Sequence, residues 1–343
     1  MKRGIEIQFN WVFILIAGGV ILAFFFTIVT KQQTLSSERL AVQLSRDLDT
    51  VFSAAIAAKG VAQVLSIPRG GVAFDCTETC DCNFVVKEKP TPFKDKIIFA
   101  PETLADEAAV VWALDWKVPF RVTNFLYLGQ PSDKYLLVTD PSGANQHSRQ
   151  LQAQLSRDLP AALQTEFISI NDLPTKRLEG RTRVVFLAVN PRDESTLDLD
   201  ASFKRIEVSG VVIDSRTRQL KFFTREGDAF ESQKASYAGD AGMYAALFST
   251  DPQLYQCGVS HSLAKLAHVA DIYARRAVAV GNEMPRQNRS DCVYVTDAID
   301  QLRSGAAEKS TAIFPDLAGL ELNAQQLNQQ NQNLILQSCP ELF

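Results

Sequence analysis

The sequence predicts an α/β protein with an N-terminal transmembrane helix and stalk, a mostly parallel mixed sheet with helices, and a C-terminal three-helix bundle. Three observations carry this. No charged residue occurs from Ile7 to Thr30. The middle of the chain alternates short apolar runs with a helical leucine repeat, and everything after about Gly239 keeps a helical period. The 343 residues therefore divide into a cytoplasmic leader 1–6, a span 7–30, an amphipathic stalk 31–68, an α/β ectodomain 69–238 opened by a cysteine hairpin, and a helical bundle 239–343. A net charge of −4 gives no reason to expect a nucleic-acid partner.

The stretch from Trp11 to Val29 is almost wholly apolar, long enough as a helix to cross a hydrocarbon layer of about 30 Å. The expected partner is the lipid bilayer. A cleavable secretory signal would have a shorter apolar core ending at small residues, whereas this one runs into "FFFTIVTKQQ". Lys2, Arg3 and the terminal amine precede the span, and Lys31 and Arg39 follow it, a slight excess for a cytoplasmic amino terminus. All six cysteines lie beyond it, which suits an oxidising compartment. The expectation is thus a single-pass cell-membrane protein with residues 31–343 extracytoplasmic. Gly19 and Ala23 would let another helix approach, but small residues are common in membrane helices and imply no oligomer.

After the span, Leu40, Leu44, Leu48, Val51 and Ala55 recur at three- and four-residue steps, so the helix is expected to continue outward until "SIPRGG" ends it. Residues 72–89 read as a hairpin with Cys76, Cys80 and Cys82 at its polar tip, and "KIIFAP" as a short strand. Residues 101–115 have a Pro-Glu start and an apolar period that predict a helix, before "PFRVTNFLYL" returns to strand chemistry. "KYLLVTD", "TEFISI" and "RTRVVFLAV" are buried-type strands, with a helix between the first two carrying Leu151, Leu155, Leu159 and Leu163. "RIEVSGVVID" and "QLKFFT" form a hairpin on the sheet edge.

Three apolar stripes follow: Leu263, Leu266, Ala270, Tyr273 and Ala277; then Tyr294, Ala298 and Leu302; then Leu320, Ala324, Leu327, Asn331, Leu334 and Ser338 at heptad spacing. In an up-down-up bundle the second helix starts and the third ends at the same pole, so Cys292 should bond Cys339. Cys257 is left at the opposite pole, where its remaining partners are the hairpin cysteines. Cys80 and Cys82 are too close in sequence to pair with each other. Cys76 is therefore expected to bond one of them and the other to reach Cys257, with the choice open. That long-range bond closes a loop of about 175 residues and contributes on the order of 5 kcal/mol.

The short basic leader ending "KRG", the acid at Glu6, the long apolar helix and its polar continuation resemble archaeal class III signal sequences and type IV pilin-like subunits. The resemblance implies cleavage after Gly4 and packing of the apolar helix among other filament subunits. Pilins of the bacterial type put the acid five residues after the cut, whereas Glu6 would be second. The block "GIEIQFNW" also looks like uncharacterised single-pass membrane proteins of small-genome archaea, a likeness that implies no activity.

The most enzyme-like stretch is "VTDPSGANQ", because an Asp at the carboxyl end of a sheet strand sits where α/β proteins place ligands. Asp140 and Ser142 resemble part of the D-x-S-x-S metal-adhesion motif of von Willebrand A-type domains, but its third position is Ala144, which removes one oxygen ligand. "DPSG" is also a common turn before a helix. His261 and His268 would lie about 10.5 Å apart along a helix, too far for one zinc, and His147 falls in a loop. "CTETCDC" is one residue short of the C-x3-C-x2-C spacing of radical-SAM clusters, and the acids Asp193, Glu194, Asp198 and Asp200 lack the pattern of a calcium loop. Asn288 heads an "NRS" glycosylation sequon. No Walker loop, dinucleotide glycine pattern, G-x-S-x-G or H-E-x-x-H is present, which argues against the commoner hydrolases and nucleotide enzymes; no cofactor is implied. The expectation is a structural or binding component of the cell envelope, in one version pilin-like, joined to other membrane or filament subunits. The alternative is an external enzyme or metal-dependent adhesin using the Asp140 loop.

Overall fold

The computed structural model describes residues 3–343 except 94, 143–144, 178–179 and 200–206; in the first helix the side chains of residues 3–13, 28–30 and 33–37 lie outside the description. That helix, α1 (Arg3–Ala57), is continuous over 55 residues, or about 80 Å. Its two halves meet different surroundings. Ala41, Leu48 and Phe52 are buried, with Leu44 and Ile56 packed beside the core. The predicted stripe is met at Leu44 and Leu48, but Leu40 is 45% exposed and Phe52 rather than Val51 is fully buried, so the face is turned by about one residue. Ile14, Leu15, Ile16, Val20, Ile21, Leu22 and Phe24 to Phe26 are instead 56–72% exposed. Among the described residues no helix is long and apolar enough to cross a membrane, so the span expected over 7–30 is not supported at this level. The described apolar side chains run only from Ile14 to Phe26. Gly4 and Glu6 lie in the part of α1 whose side chains are not described.

The helix ends at Ala57 rather than at the expected 68. Gly60 turns the chain at φ +81° and donates to the Ala113 carbonyl at 2.8 Å, and β1 (Ala62–Ser66) then pairs antiparallel with β7 (Ala108–Lys117). β7 corrects a second expectation, because 101–115 was to be a helix. Its apolar residues face two cores alternately: Val110 and Trp112 one, Ala109, Val111 and Ala113 the other. A strand buried on both faces shows a continuous apolar run, and such a run can pass for a helix.

β7 belongs to a four-stranded sheet of order β1-β7-β8-β5, where β8 is Arg121–Gly129 and β5 is Ile97–Phe99. A second sheet, β4-β3-β2-β6, contains the predicted cysteine hairpin β2 (Val72–Cys76) and β3 (Cys82–Val86), with β4 (Lys89–Pro92) and β6 (Thr103–Leu104). Phe52 of α1, Phe74 of β2 and Phe84 of β3 pack together between the two sheets.

The third sheet is the expected mixed one. Its order is β10-β9-β11-β12-β13-β14, built from β9 (Lys134–Thr139), β10 (Gln164–Ser169), β11 (Thr182–Leu187), β12 (Val208–Asp214), β13 (Gln219–Glu226) and β14 (Ala229–Ser236). The first four positions are parallel and the last two antiparallel. The edge is β14, not the β12–β13 hairpin; "AFESQKAS" is too polar to be read as a strand from its pattern. α2 (Gln146–Asp158) buries Leu151 and Leu155 on one face of this sheet, and Leu173 and Leu197 from connecting loops cover the other.

α3 (Gly239–Phe248) buries every residue from Ala241 to Phe248. Bonds from Trp116 Nε1 to the Ala238 carbonyl and from Tyr127 hydroxyl to the Ala241 carbonyl, each 2.8 Å, fix it on the central sheet. α4 (Pro252–Glu283), α5 (Asp297–Lys309) and α6 (Ala318–Leu336) supply the three long helices of the expected bundle. Asp251 caps α4 by accepting from the Gln253 and Leu254 amides. One apolar core runs from the mixed sheet through α3 and α4 to Leu334 and Leu342. Asn331, at a heptad core position of α6, accepts from the Leu342 amide at 2.7 Å and donates to the Phe343 carbonyl at 3.2 Å.

Candidate functional site

In the parallel part of the mixed sheet, the chain steps from β9 to its neighbour β10 on one side and from β11 to β12 on the other. The crevice where that order reverses lies between the carboxyl ends of β9 and β11, the place where open α/β sheets take ligands. Asp140 is the residue there. One of its carboxylate oxygens accepts from the Ser142 amide at 3.0 Å and hydroxyl at 2.8 Å; the other accepts from that hydroxyl at 2.8 Å and from the Asn145 amide at 3.2 Å. The Ser142 amide bond, then its hydroxyl, hold the Asp140 carboxyl below the ordinary carboxylate range. Asn145 caps α2 through Ser148 and donates to the Ala188 carbonyl at 2.7 Å, tying the loop to the end of β11. Asp140 is thus engaged in shaping its own turn, and Ala144 lies outside the described residues.

Among the described residues, only two groups bring three metal-ligating side chains together: Cys76, Cys82 and Cys257, and Asp291, Cys292 and Cys339. Their sulfurs are paired. Cys76 bonds Cys82, Cys80 bonds Cys257, and Cys292 bonds Cys339, so the choice left open by the sequence falls to Cys80. No cysteine is free. The histidines stay apart: His261 and His268 sit two turns apart on α4 and His147 in the first turn of α2.

The acidic loop before β12 is bonded internally. Asp193 accepts from the Ser195 hydroxyl at 2.7 Å and the Thr196 hydroxyl at 2.9 Å, Asp198 accepts from the Arg192 and Asp193 amides, and Glu194 pairs with Lys221. Asp200 is outside the described residues. Asn288 is exposed, in a left-handed turn (φ 60°) after the short helical turn Pro285–Gln287.

Two features have no short sequence signature, because each is assembled from distant segments. A groove of about 880 Å³ lies between Ser45, Arg46 and Asp49 of α1 and the segment from Pro90 to Phe93, and is also lined by Lys96, which bonds Asp49 at 2.6 Å. At the amino-terminal ends of β9 and β11 lies a polar cavity of about 40 Å³, bordered by Glu102, Asp133, Arg181, Thr182 and Arg183. Arg183 is buried and donates to the carbonyls of Ala246 at 2.9 Å, Ser249 at 2.6 Å and Gly210 at 3.3 Å, so the cation sits at the negative end of α3. Beside it, Asp133 accepts from Gln130 and from Arg181 Nε at 3.0 Å, and Gln130 in turn accepts from the Ala105 and Asp106 amides.

Burial outweighs those partners and raises Asp133 to about 6. An acid whose folded pKa is raised stabilises the fold below its unfolded value near 3.9 and loses that contribution as pH rises through about 6. Stability measured at pH 4 and pH 6.5 should fall by about 2–3 kcal/mol more in the natural protein than in Asp133→Asn. Equal pH slopes would remove Asp133 as the cause.

Compared with known proteins, the chain matches no family model, no curated protein and no solved structure at a significant level.

Proposed function

We propose that the protein is a single-pass, membrane-anchored component of the cell envelope, with its folded body outside the cytoplasm and a structural or binding role. The observation that carries this is the division of α1. One half is cemented into the body, while the other presents large apolar side chains at positions 14–16, 20–22 and 24–26, which at 100° per residue point in every direction around the helix. A helix apolar all round needs an apolar environment on all sides. With the flanking residues of the sequence, the run from Trp11 to Val29 reaches about 28 Å. Three disulfides with no free cysteine favour an oxidising compartment for the body. Filament assembly is one form of this role, in which neighbouring α1 helices supply part of the apolar surroundings.

Removing residues 2–30 should move the protein from the membrane pellet to the soluble fraction with its body folded. Protease added to intact cells should digest residues 31–343. Protection of the body until lysis, or a truncated chain that still pellets with membranes, would overturn the proposal. The mass of the native amino terminus separates the two forms: a chain starting at Ile5 supports pilin-like processing after Gly4, and a chain retaining residues 1–4 supports a plain anchor.

The enzyme or adhesin reading draws no support from the Asp140 loop, whose carboxylate is occupied by Ser142 and Asn145. Millimolar Mg2+ or Ca2+ should leave the melting temperature unchanged. A rise of several degrees that Asp140→Ala abolishes would favour the adhesin instead.

A further inference from the structure

The two disulfides at the hairpin tip are neighbours. Sulfurs of Cys76, Cys82 and Cys257 lie within 4.8 Å of one another, and the fourth, Cys80, is bonded to Cys257. Access differs between them. Cys257 and Cys82 are buried, whereas Cys76 and Cys80 are half-buried beside the exposed residues Thr77 to Thr79. Gln253, one turn before Cys257 on α4, donates its side-chain amide to the Thr77 carbonyl at 3.1 Å and to the Cys257 sulfur at 3.4 Å. An amide N–H directed at a sulfur stabilises the thiolate formed when that sulfur becomes a leaving group. Neither anchoring nor the fold requires this arrangement, because a single long-range disulfide would staple the hairpin to α4.

We propose that Cys76, Cys80, Cys82 and Cys257 form one thiol–disulfide exchange centre, in which the partner of Cys257 switches between Cys80 and Cys82. The co-reactant is a thiol, which loses its proton to solvent before attack. Its thiolate attacks Cys80, breaking the Cys80–Cys257 bond, forming a mixed disulfide at Cys80 and releasing the Cys257 thiolate next to Gln253. That thiolate attacks Cys82, forming Cys82–Cys257 and releasing Cys76. Cys76 attacks the mixed disulfide at Cys80, forming Cys76–Cys80 and expelling the original thiol, which recovers its proton. Each step breaks one sulfur–sulfur bond and forms one; nothing is oxidised or reduced overall. The hairpin remains tied to α4 in both end states, but through a different residue. Asp75, Glu78 and Asp81 surround the tip with negative charge, so a cationic thiol suits it better than an anionic one.

The test uses the purified full chain and cysteamine, followed by acid quenching, alkylation and cleavage before aspartate. Cleavage there separates Cys76 and Cys80 (residues 75–80) from Cys82 (residues 81–94) and Cys257 (residues 251–270). The expected product is peptide 81–94 joined to 251–270, absent from untreated protein, with the Cys292–Cys339 pair intact. In Cys76→Ser with Cys82→Ser the relay has no second disulfide, so cysteamine should remain on Cys80 with Cys257 as a free thiol. Gln253→Ala should give the same exchanged product as the natural chain, but roughly tenfold more slowly. Cysteamine held on Cys80 of the natural chain without any Cys82–Cys257 product would overturn the proposal, as would opening of Cys292–Cys339 at the same rate.

Discussion

Replacing Cys80 and Cys257 together by alanine should lower the unfolding free energy by about 3–5 kcal/mol, the largest effect of removing any of the three disulfides. The bridged residues are 177 apart in sequence, against 47 for Cys292–Cys339 and 6 for Cys76–Cys82. Chain-entropy treatment ranks the three at about 5, 4 and 2 kcal/mol. The position of the bond adds to its reach: it fastens the β2–β3 hairpin to the buried second turn of α4, across the core that also receives Phe52 of α1. Both cysteines must be changed, since a single replacement leaves a thiol free to attack the adjacent Cys76–Cys82 bond. The denaturant midpoint is the measurement. A double variant whose midpoint equals that of the natural chain would show that the hairpin is held by packing alone.

The second large effect is expected where α4 crosses the central sheet. Gly258 lies in the interior of a helix, where alanine is normally worth up to about 1 kcal/mol in helix propensity. Here a Cβ would meet the ring of Phe99 at 2.5 and 2.8 Å. Phe99 is fully buried and packs against Phe125, Tyr127 and Tyr255, so the ring has little room to retreat. Over-packing of this kind costs about 1–3 kcal/mol, and the steric cost should outweigh the propensity gain. Gly258→Ala is therefore expected to destabilise, and combining it with Phe99→Leu should recover part of the loss. Stability of the double variant equal to the sum of two independent losses would mean that the contact is not what excludes a side chain at position 258.

What could be read from the sequence was whatever repeats at short range. Leu151 and Leu155 of α2, Leu263, Leu266, Ala270 and Ala277 of α4, Ala298 and Leu302 of α5, Leu320, Ala324, Leu327, Asn331 and Leu334 of α6 and the apolar runs of β9, β11 and β12 declare themselves within a dozen residues and are buried as expected. Leu159, Leu163, Tyr294 and Ser338 of the predicted stripes fall outside the helices. The Cys292–Cys339 pair and the tie from the hairpin tip to Cys257 were legible because helix lengths decide which poles meet, but the choice of Cys80 over Cys82 was not. β7 misled because burial on both faces erases the alternation that marks a strand, and β14 because an edge strand with exposed Glu231, Gln233 and Lys234 has almost no apolar pattern. The end of α1 was misplaced because Val61 to Leu65 continue an apolar rhythm that a helix or a strand could use, and only pairing with β7 decides between them. Asp140 was found from its place after a strand, but whether its carboxylate is available depends on hydrogen bonds no spacing specifies. The polar cavity at Arg183 joins residues from β9, β11 and the end of α3, so it exists only after folding.

The unbroken course of α1 turns distance along the chain into rotational phase. Between the last described apolar residue of the projecting half, Phe26, and the first buried contact of the other, Ala41, the helix runs without interruption. Fifteen residues there amount to about 22 Å of rise and slightly more than four turns. The body is thus held at a fixed height and facing a fixed direction relative to the projecting half of the helix. Adding one residue in this interval would raise the body by about 1.5 Å and swing it through about 100°; adding seven would raise it by about 10 Å and bring it back to within about 20° of its first heading. Any partner that must meet one particular side of the body would tolerate the second change far better than the first, so a series of insertions between residues 31 and 40 would act as an angular ruler for the contact.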